Sequence, residues 1–189
     1  MSRRTALLVM DVQTGIVERL VDDCGALLEA VGLAVSAARR AGVPVVYVRI
    51  GFRPGAPEIS RRNRAFAARA GSTEMGLDDP VTQIHPAVAP EPGDIVVVKK
   101  RVSAFAGSDL EVVLRSLDVE SLVLAGIATS GVVLSTLRQA ADLDYDLTVL
   151  RDGCADGDDE VHRVLLDKVF PRQAIVTDSA AWVGSLSQG

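Results

Sequence analysis

A chain of 189 residues, 48% apolar and 24% charged, is long enough to bury its own core without disulfide or metal staples and too apolar to remain disordered. Its formal net charge of −5 argues against a nucleic-acid surface, and no basic stripe interleaved with aromatics is present. No stretch approaches about 18 consecutive apolar residues, so no membrane span is expected.

The apolar run Thr5 to Met10 closes on Asp11 and predicts a buried parallel strand. The start Met1-Ser2-Arg3-Arg4 leads straight into it, too briefly for a signal peptide, which predicts a cytoplasmic protein. Ala26 to Ala41 carries Leu27, Val31, Ala34 and Ala38 at helical spacing, with Gly42 as a stop. Val43 to Ile50 predicts the second strand, with Pro44 near its start where no ladder N–H is needed.

Residues 51–92 show no clean period and are rich in proline and arginine. They predict a long excursion with one helix near Arg61 to Ala70. Its basic cluster, Arg61, Arg62, Arg64 and Arg69, suits a solvated helix face better than an anion site.

The alternation then resumes. Strands are expected over Asp94–Val98, Ser121–Ala125, Asp146–Leu150 and Ala174–Thr177, and helices over Leu110–Leu117, Gly131–Leu143 and Glu160–Val169. Alternating strands and helices predict one domain over residues 1–189, an α/β fold with a doubly wound, six-stranded parallel sheet. Both faces of such a sheet must be covered, and the mean hydropathy of +0.26 predicts further apolar surface buried in a homodimer or homotetramer.

In an open parallel sheet, ligands gather at the carboxyl ends of the strands. There the sequence places Asp11-Val12-Gln13, then Lys99-Lys100-Arg101 with Ser103-Ala104-Phe105, then the turn Gly126 to Val132, then Asp152-Gly153-Cys154. A carboxylate and a lysine at neighbouring strand ends make an acid–base pair, the cation lowering and burial raising the carboxylate pKa. Taken alone, Asp11 also reads as a cap and the basic run as a solvated loop. The small-residue turn offers backbone N–H groups to an anion, or is a tight turn capped by Thr129 or Ser130. Neither a dinucleotide nor a P-loop motif is present, and no cofactor is expected. Two cysteines and two histidines, far apart, form no disulfide framework and no metal spacing.

Four segments in order resemble the isochorismatase-like, or cysteine hydrolase, superfamily across about residues 5 to 178. They are Asp11-Val12-Gln13, then His85-Pro86 with Pro90-Glu91-Pro92-Gly93-Asp94 and Lys99 to Phe105, then Leu122 to Val132, then Asp152-Gly153-Cys154-Ala155 with His162. The resemblance implies a Rossmann-like three-layer αβα sandwich and a hydrolase acting on a small molecule. Asp11 and Lys99 fall on the family's catalytic aspartate and lysine. Most members have a cysteine nucleophile where this chain has Val132, and valine cannot attack a carbonyl.

The resemblance further implies a cis peptide near Ile127–Ala128 and anion-binding N–H groups at Ala128 and Val132. Gln13, Arg53, Phe105, Ala128, Thr129 and Gly131 are candidate substrate contacts, with Arg61 a further candidate for a substrate carboxylate. Zinc-binding relatives carry histidines where this chain has Arg49 to Arg53, so no metal is expected. His85, His162 and Cys154 read as structural.

The true isochorismatases also lack the cysteine, carry glycine there, and use the aspartate as a general acid. The resemblance therefore implies a hydrolase in which Asp11 is general acid or base, acting on a carboxylate-bearing molecule. The alternatives are a repurposed member that binds a small anion and an amide hydrolase with another nucleophile.

Overall fold

A computed structural model describes residues 4–20, 24–71 and 75–186; the start Met1-Ser2-Arg3 lies outside them. Six parallel strands, β1 (Thr5–Met10), β2 (Val45–Ile50), β3 (Ile95–Lys99), β4 (Ser121–Ile127), β5 (Asp146–Ala155) and β6 (Ile175–Thr177), form one sheet in the order β3-β2-β1-β4-β5-β6. The order reverses between β1 and β4, so the carboxyl ends of those two strands flank the switch point where such sheets bind ligands.

Burial on both faces explains the unbroken apolar runs. In β1, Leu8 and Met10 enter one core with Val46, Val48, Leu122 and Leu124, while Leu7 and Val9 enter another with Tyr47 and Val123. The first core is closed by α3 (Leu110–Ser116), α4 (Leu134–Asp142) and the segment after α5 (Asp159–Val164), through Leu114, Leu137 and Leu166. The second is closed by α1 (Thr14–Leu20), α2 (Gly25–Arg40) and α6 (Ser179–Leu186), through Val17, Val31 and Trp182. Each such side chain fully removed from water contributes roughly 1.5–3 kcal/mol.

One close approach fixes the centre of the sheet. A Cβ on Gly126 would lie 2.2 Å from the Met10 carbonyl oxygen, so β4 packs against the end of β1 only with glycine there. Between Leu124 and Gly126 the register of β4 against β5 shifts, pairing Gly126 with Cys154 and Ile127 with Ala155.

Several expectations are corrected. The helix near Arg61 to Ala70 is replaced by turns and a single 3-10 turn at Ala67–Arg69. Asn63 explains this: its side-chain oxygen takes the Ala65 N–H at 3.2 Å, an Asx turn that competes with a helix, and Phe66 turns inward against Phe52. Asp152, Gly153 and Cys154 lie within β5 rather than beyond it, because the register shift carries the pairing on to Ala155. Helices α1 and α6 are additions. The helix expected from Gly131 begins as a wide turn over Thr129–Val133 before α4.

The excursion carries its own small core of Ile50, Phe52, Ala56, Ile59 and Phe66. Strand-end side chains tether it by its backbone carbonyls. Arg49 donates to Leu77 O at 2.9 Å, Lys100 to Gly51 O at 2.5 Å and Arg101 to Glu58 O at 2.9 Å.

Candidate active site at the switch point

Asp11 and Lys99, expected as an acid–base pair, are brought together as a buried ion pair. Asp11, one residue past β1, adopts φ 57°, a left-handed conformation unusual for a residue with a Cβ. Its N–H is held by Val48 O at 2.8 Å. Lys99, the last residue of β3, reaches across to place Nζ 2.7 Å from Asp11 Oδ2. Both side chains are buried, so Lys99 is no part of a solvated loop.

Lys99 also donates to Arg101 O at 3.1 Å and Val102 O at 2.8 Å. An ammonium has three hydrogens, and these acceptors match them. Lys99 therefore fixes Asp11 without a donor to spare. The other carboxylate oxygen, Asp11 Oδ1, is buried with no hydrogen-bond partner among the described residues. Burial pushes the Asp11 carboxyl up to about 6, while the charge and hydrogen bond of Lys99 pull it down.

The neighbouring strand end holds the turn. The peptide Ile127–Ala128 is cis. Neither Thr129 nor Ser130 caps the turn. Thr129 is fully buried, its Oγ1 3.1 Å from Ala155 O and 2.8 Å from His162 Nδ1, and the Ser130 N–H donates to Asp156 Oδ2 at 2.6 Å. Gly131 and Val133 return their N–H groups to Ala128 O, at 3.1 and 3.3 Å. Val132 is buried in the same core as Ala104, Phe105 and Leu137 and brings no reactive group.

The remaining candidates are dispersed. Gln13 is buried, its amide serving as a staple: Nε2 donates to Ile50 O at 2.9 Å and Thr82 O at 2.6 Å, and Oε1 accepts the Ile50 N–H at 2.8 Å. Arg53 is exposed and paired with Glu58 at 2.7 Å, and Arg61 is exposed. Phe105 packs against Tyr145, ring centres 6.3 Å apart. Cys154 is buried, and burial pushes its thiol up to about 12, which keeps it un-ionised. His85 Nδ1 accepts the Ala87 N–H at 3.2 Å.

Sequence reasoning missed Thr82, whose carbonyl receives Gln13, and Asp156, which holds the turn; neither stands in a motif. A cleft of about 540 Å³ opens beside Gln13, between α1 and residues 75–82, and is lined by Ile16, Met75 and Val81 among others. Among the described residues no three His, Cys, Asp or Glu side chains gather as metal ligands, and no helix is long and apolar enough to cross a membrane.

The sequence profile of the Isochorismatase domain matches residues 5–181. The isochorismatase family protein YwoC of Bacillus subtilis is 32% identical over 170 residues, covering 90% of this chain and 87% of that protein. The ureidoacrylate amidohydrolase RutB of Methylobacterium radiotolerans is 33% identical over 211 residues, covering 96% and 79%. A cysteine hydrolase from Pseudomonas syringae pv. phaseolicola superposes with a TM-score of 0.90 at 24% identity, covering 98% and 93%, and shares the fold. With the match spanning nearly every element of the sheet, this chain belongs to the isochorismatase family of hydrolases.

Proposed function

We propose that this chain hydrolyses a small, carboxylate-bearing molecule without a covalent intermediate, Asp11 serving as general acid and then general base. The observation that carries this reading is the asymmetry of the Asp11 carboxylate: Oδ2 accepts from Lys99, whereas Oδ1 is buried and has no partner among the described residues. Because Oδ2 faces an ammonium, the acidic proton resides on Oδ1. A carboxyl titrating at about 6 holds a usable fraction of that proton near neutrality and gives it up readily.

For an enol ether such as isochorismate, the Oδ1 proton goes to the terminal methylene carbon, whose π electrons form the new C–H bond. The resulting oxocarbenium ion takes a water molecule, and the water's proton returns to the Asp11 carboxylate. The hemiketal then breaks its C–O bond, its hydroxyl proton passing to the departing oxygen, giving pyruvate and the alcohol. Lys99 holds the carboxylate through both steps. The substrate carboxylate is assigned to the turn at Ala128–Val132, where Ala128 and Val132 offer the backbone N–H groups. Arg53 joins it only by leaving Glu58.

Val132 and Cys154 support the non-covalent route, one for its chemistry and the other for its buried, un-ionised thiol. The resemblance to a ureidoacrylate amidohydrolase makes ureido acids the second substrate class, with Asp11 activating water as a base.

The test is a panel of isochorismate, ureido acids and simple amides, with wild type and Asp11→Asn, before and after iodoacetamide. Turnover that survives iodoacetamide and falls at least about 100-fold in Asp11→Asn supports the proposal. Ligand-induced stabilisation with no turnover of any substrate assigns a binding role instead. Amide turnover abolished by iodoacetamide returns the chemistry to a thiol.

A further inference from the structure

The turn that follows β4 is gripped from one side by the segment that follows β5. Three atoms make the grip: Ala155 O and His162 Nδ1 on Thr129 Oγ1, and Asp156 Oδ2 on the Ser130 N–H. The gripping segment is itself anchored. Ala155 pairs with Ile127 in the sheet, and Asp158 caps α5 by accepting the N–H groups of Glu160 and Val161, both at 3.0 Å.

The hydroxyl of Thr129 carries one proton. The Ala155 carbonyl can only accept, so that proton points to it. The 2.8 Å contact with His162 is then a hydrogen bond in which Nδ1–H donates to Oγ1. Neutral His162 is thereby fixed as the Nδ1–H tautomer, with Nε2 bare. Burial disfavours its imidazolium form, and a proton added at Nε2 would leave the bond to Thr129 in place.

We propose that His162 is a positioning residue for hydrolysis: through Nδ1–H and the buried Thr129 hydroxyl it sets the orientation of the Ala128–Val132 backbone that receives the substrate's anionic group. This rests on the assignment of that turn to the substrate. Thr129 directly follows Ala128, so a rotation about Thr129 moves the neighbouring peptide N–H groups. Displacements of about 1 Å at a reacting centre cost on the order of 100-fold in rate.

The experiment compares His162→Asn, His162→Leu and Thr129→Val. The amide nitrogen of asparagine falls near the position of imidazole Nδ1 and keeps a donor for Thr129; leucine fills the space without one. His162→Leu is expected to lower kcat/KM by about 10-fold or more, mostly in kcat, with His162→Asn recovering most of it although both variants lose comparable thermal stability. Combining His162→Leu with Thr129→Val should cost no more than Thr129→Val alone, since the bond that His162→Leu breaks is already lost with the Thr129 hydroxyl.

Imidazole 15N spectra of the ligand-free protein should show His162 protonated at Nδ1. The backbone amide signals of Ser130 and Gly131 should move in His162→Leu and stay near wild type in His162→Asn. Those spectra decide the positioning role even if the wild type turns over no substrate, which separates its failure from that of the proposed hydrolysis. An Nε2–H tautomer, unmoved Ser130 and Gly131 signals in His162→Leu, full kcat/KM in a folded His162→Leu, or equal loss in Asn and Leu variants would overturn it.

Discussion

Lys99 gives one hydrogen to Asp11 and its other two to the carbonyls of Arg101 and Val102, so the lysine orients the Asp11 carboxylate and has no donor left for a ligand. Replacing Lys99 with methionine should therefore act through Asp11. The uncompensated carboxylate will titrate above about 6, and the fall of kcat/KM at high pH will move upward with it, while KM changes little. The fold should lose roughly 3–5 kcal/mol, the cost of breaking one side of a buried pair. A pH–rate profile and a urea titration check both outcomes.

The Asp11 carboxyl also makes stability depend on pH. Its pKa in the folded chain, about 6, lies above the ordinary 3.8, so the folded state holds this proton more tightly than the unfolded state. The contribution is full below about pH 4 and is lost as pH rises through 6, by roughly 3 kcal/mol in all. Urea midpoints from pH 4 to 7 should fall more steeply in wild type than in Asp11→Asn. For an acid-catalysed step, kcat/KM should decline above about pH 6; a rise through that pH would make Asp11 the base that activates water.

Iodoacetamide should leave the activity of the wild type intact, because Cys154 is buried and un-ionised. Val132→Cys, close in volume, should cost under about 1.5 kcal/mol, and amide turnover gained by the variant would show that the turn accepts a covalent route.

Gln13→Leu should strip the buried Ile50 N–H and C=O of their Gln13 partner and leave Thr82 O only the longer bond from Arg49 at 3.4 Å. The expected loss is about 2–4 kcal/mol, with faster protease cleavage within residues 51–92 than in the sheet. Cleavage at wild-type rates would show that the staple is dispensable.

Gly126→Ala should fail to fold or lose more than about 4 kcal/mol, since the added Cβ would meet the Met10 carbonyl carbon at 3.0 Å as well as its oxygen. Circular dichroism and a melting curve are sufficient to measure it.

The strands were legible because a sheet buried on both faces writes itself as continuous apolar runs, and Asp11 and Lys99 were legible because they stand where two of those runs end. What the run cannot encode is what lies opposite its end. Gln13 read as a substrate contact, yet its amide faces the backbone of Ile50 and Thr82, the latter 69 residues away. The seven residues of α1 are too few for a period, and α6, Ser179–Leu186, is apolar almost all round, so neither shows a stripe. The helix expected near Arg61 yielded to the side chain of Asn63.

The tethers of the 51–92 segment have a consequence for how such a chain can diverge. Arg49, Lys100 and Arg101 grasp carbonyl oxygens, which every amino acid presents alike. Side chains at Glu58 and Leu77 can be exchanged without releasing those bonds, provided the backbone path is kept. The anchoring belongs to the strand tips and the variation to the segment they hold, so new surface chemistry can be tried beside Asp11 while the acid itself stays in register.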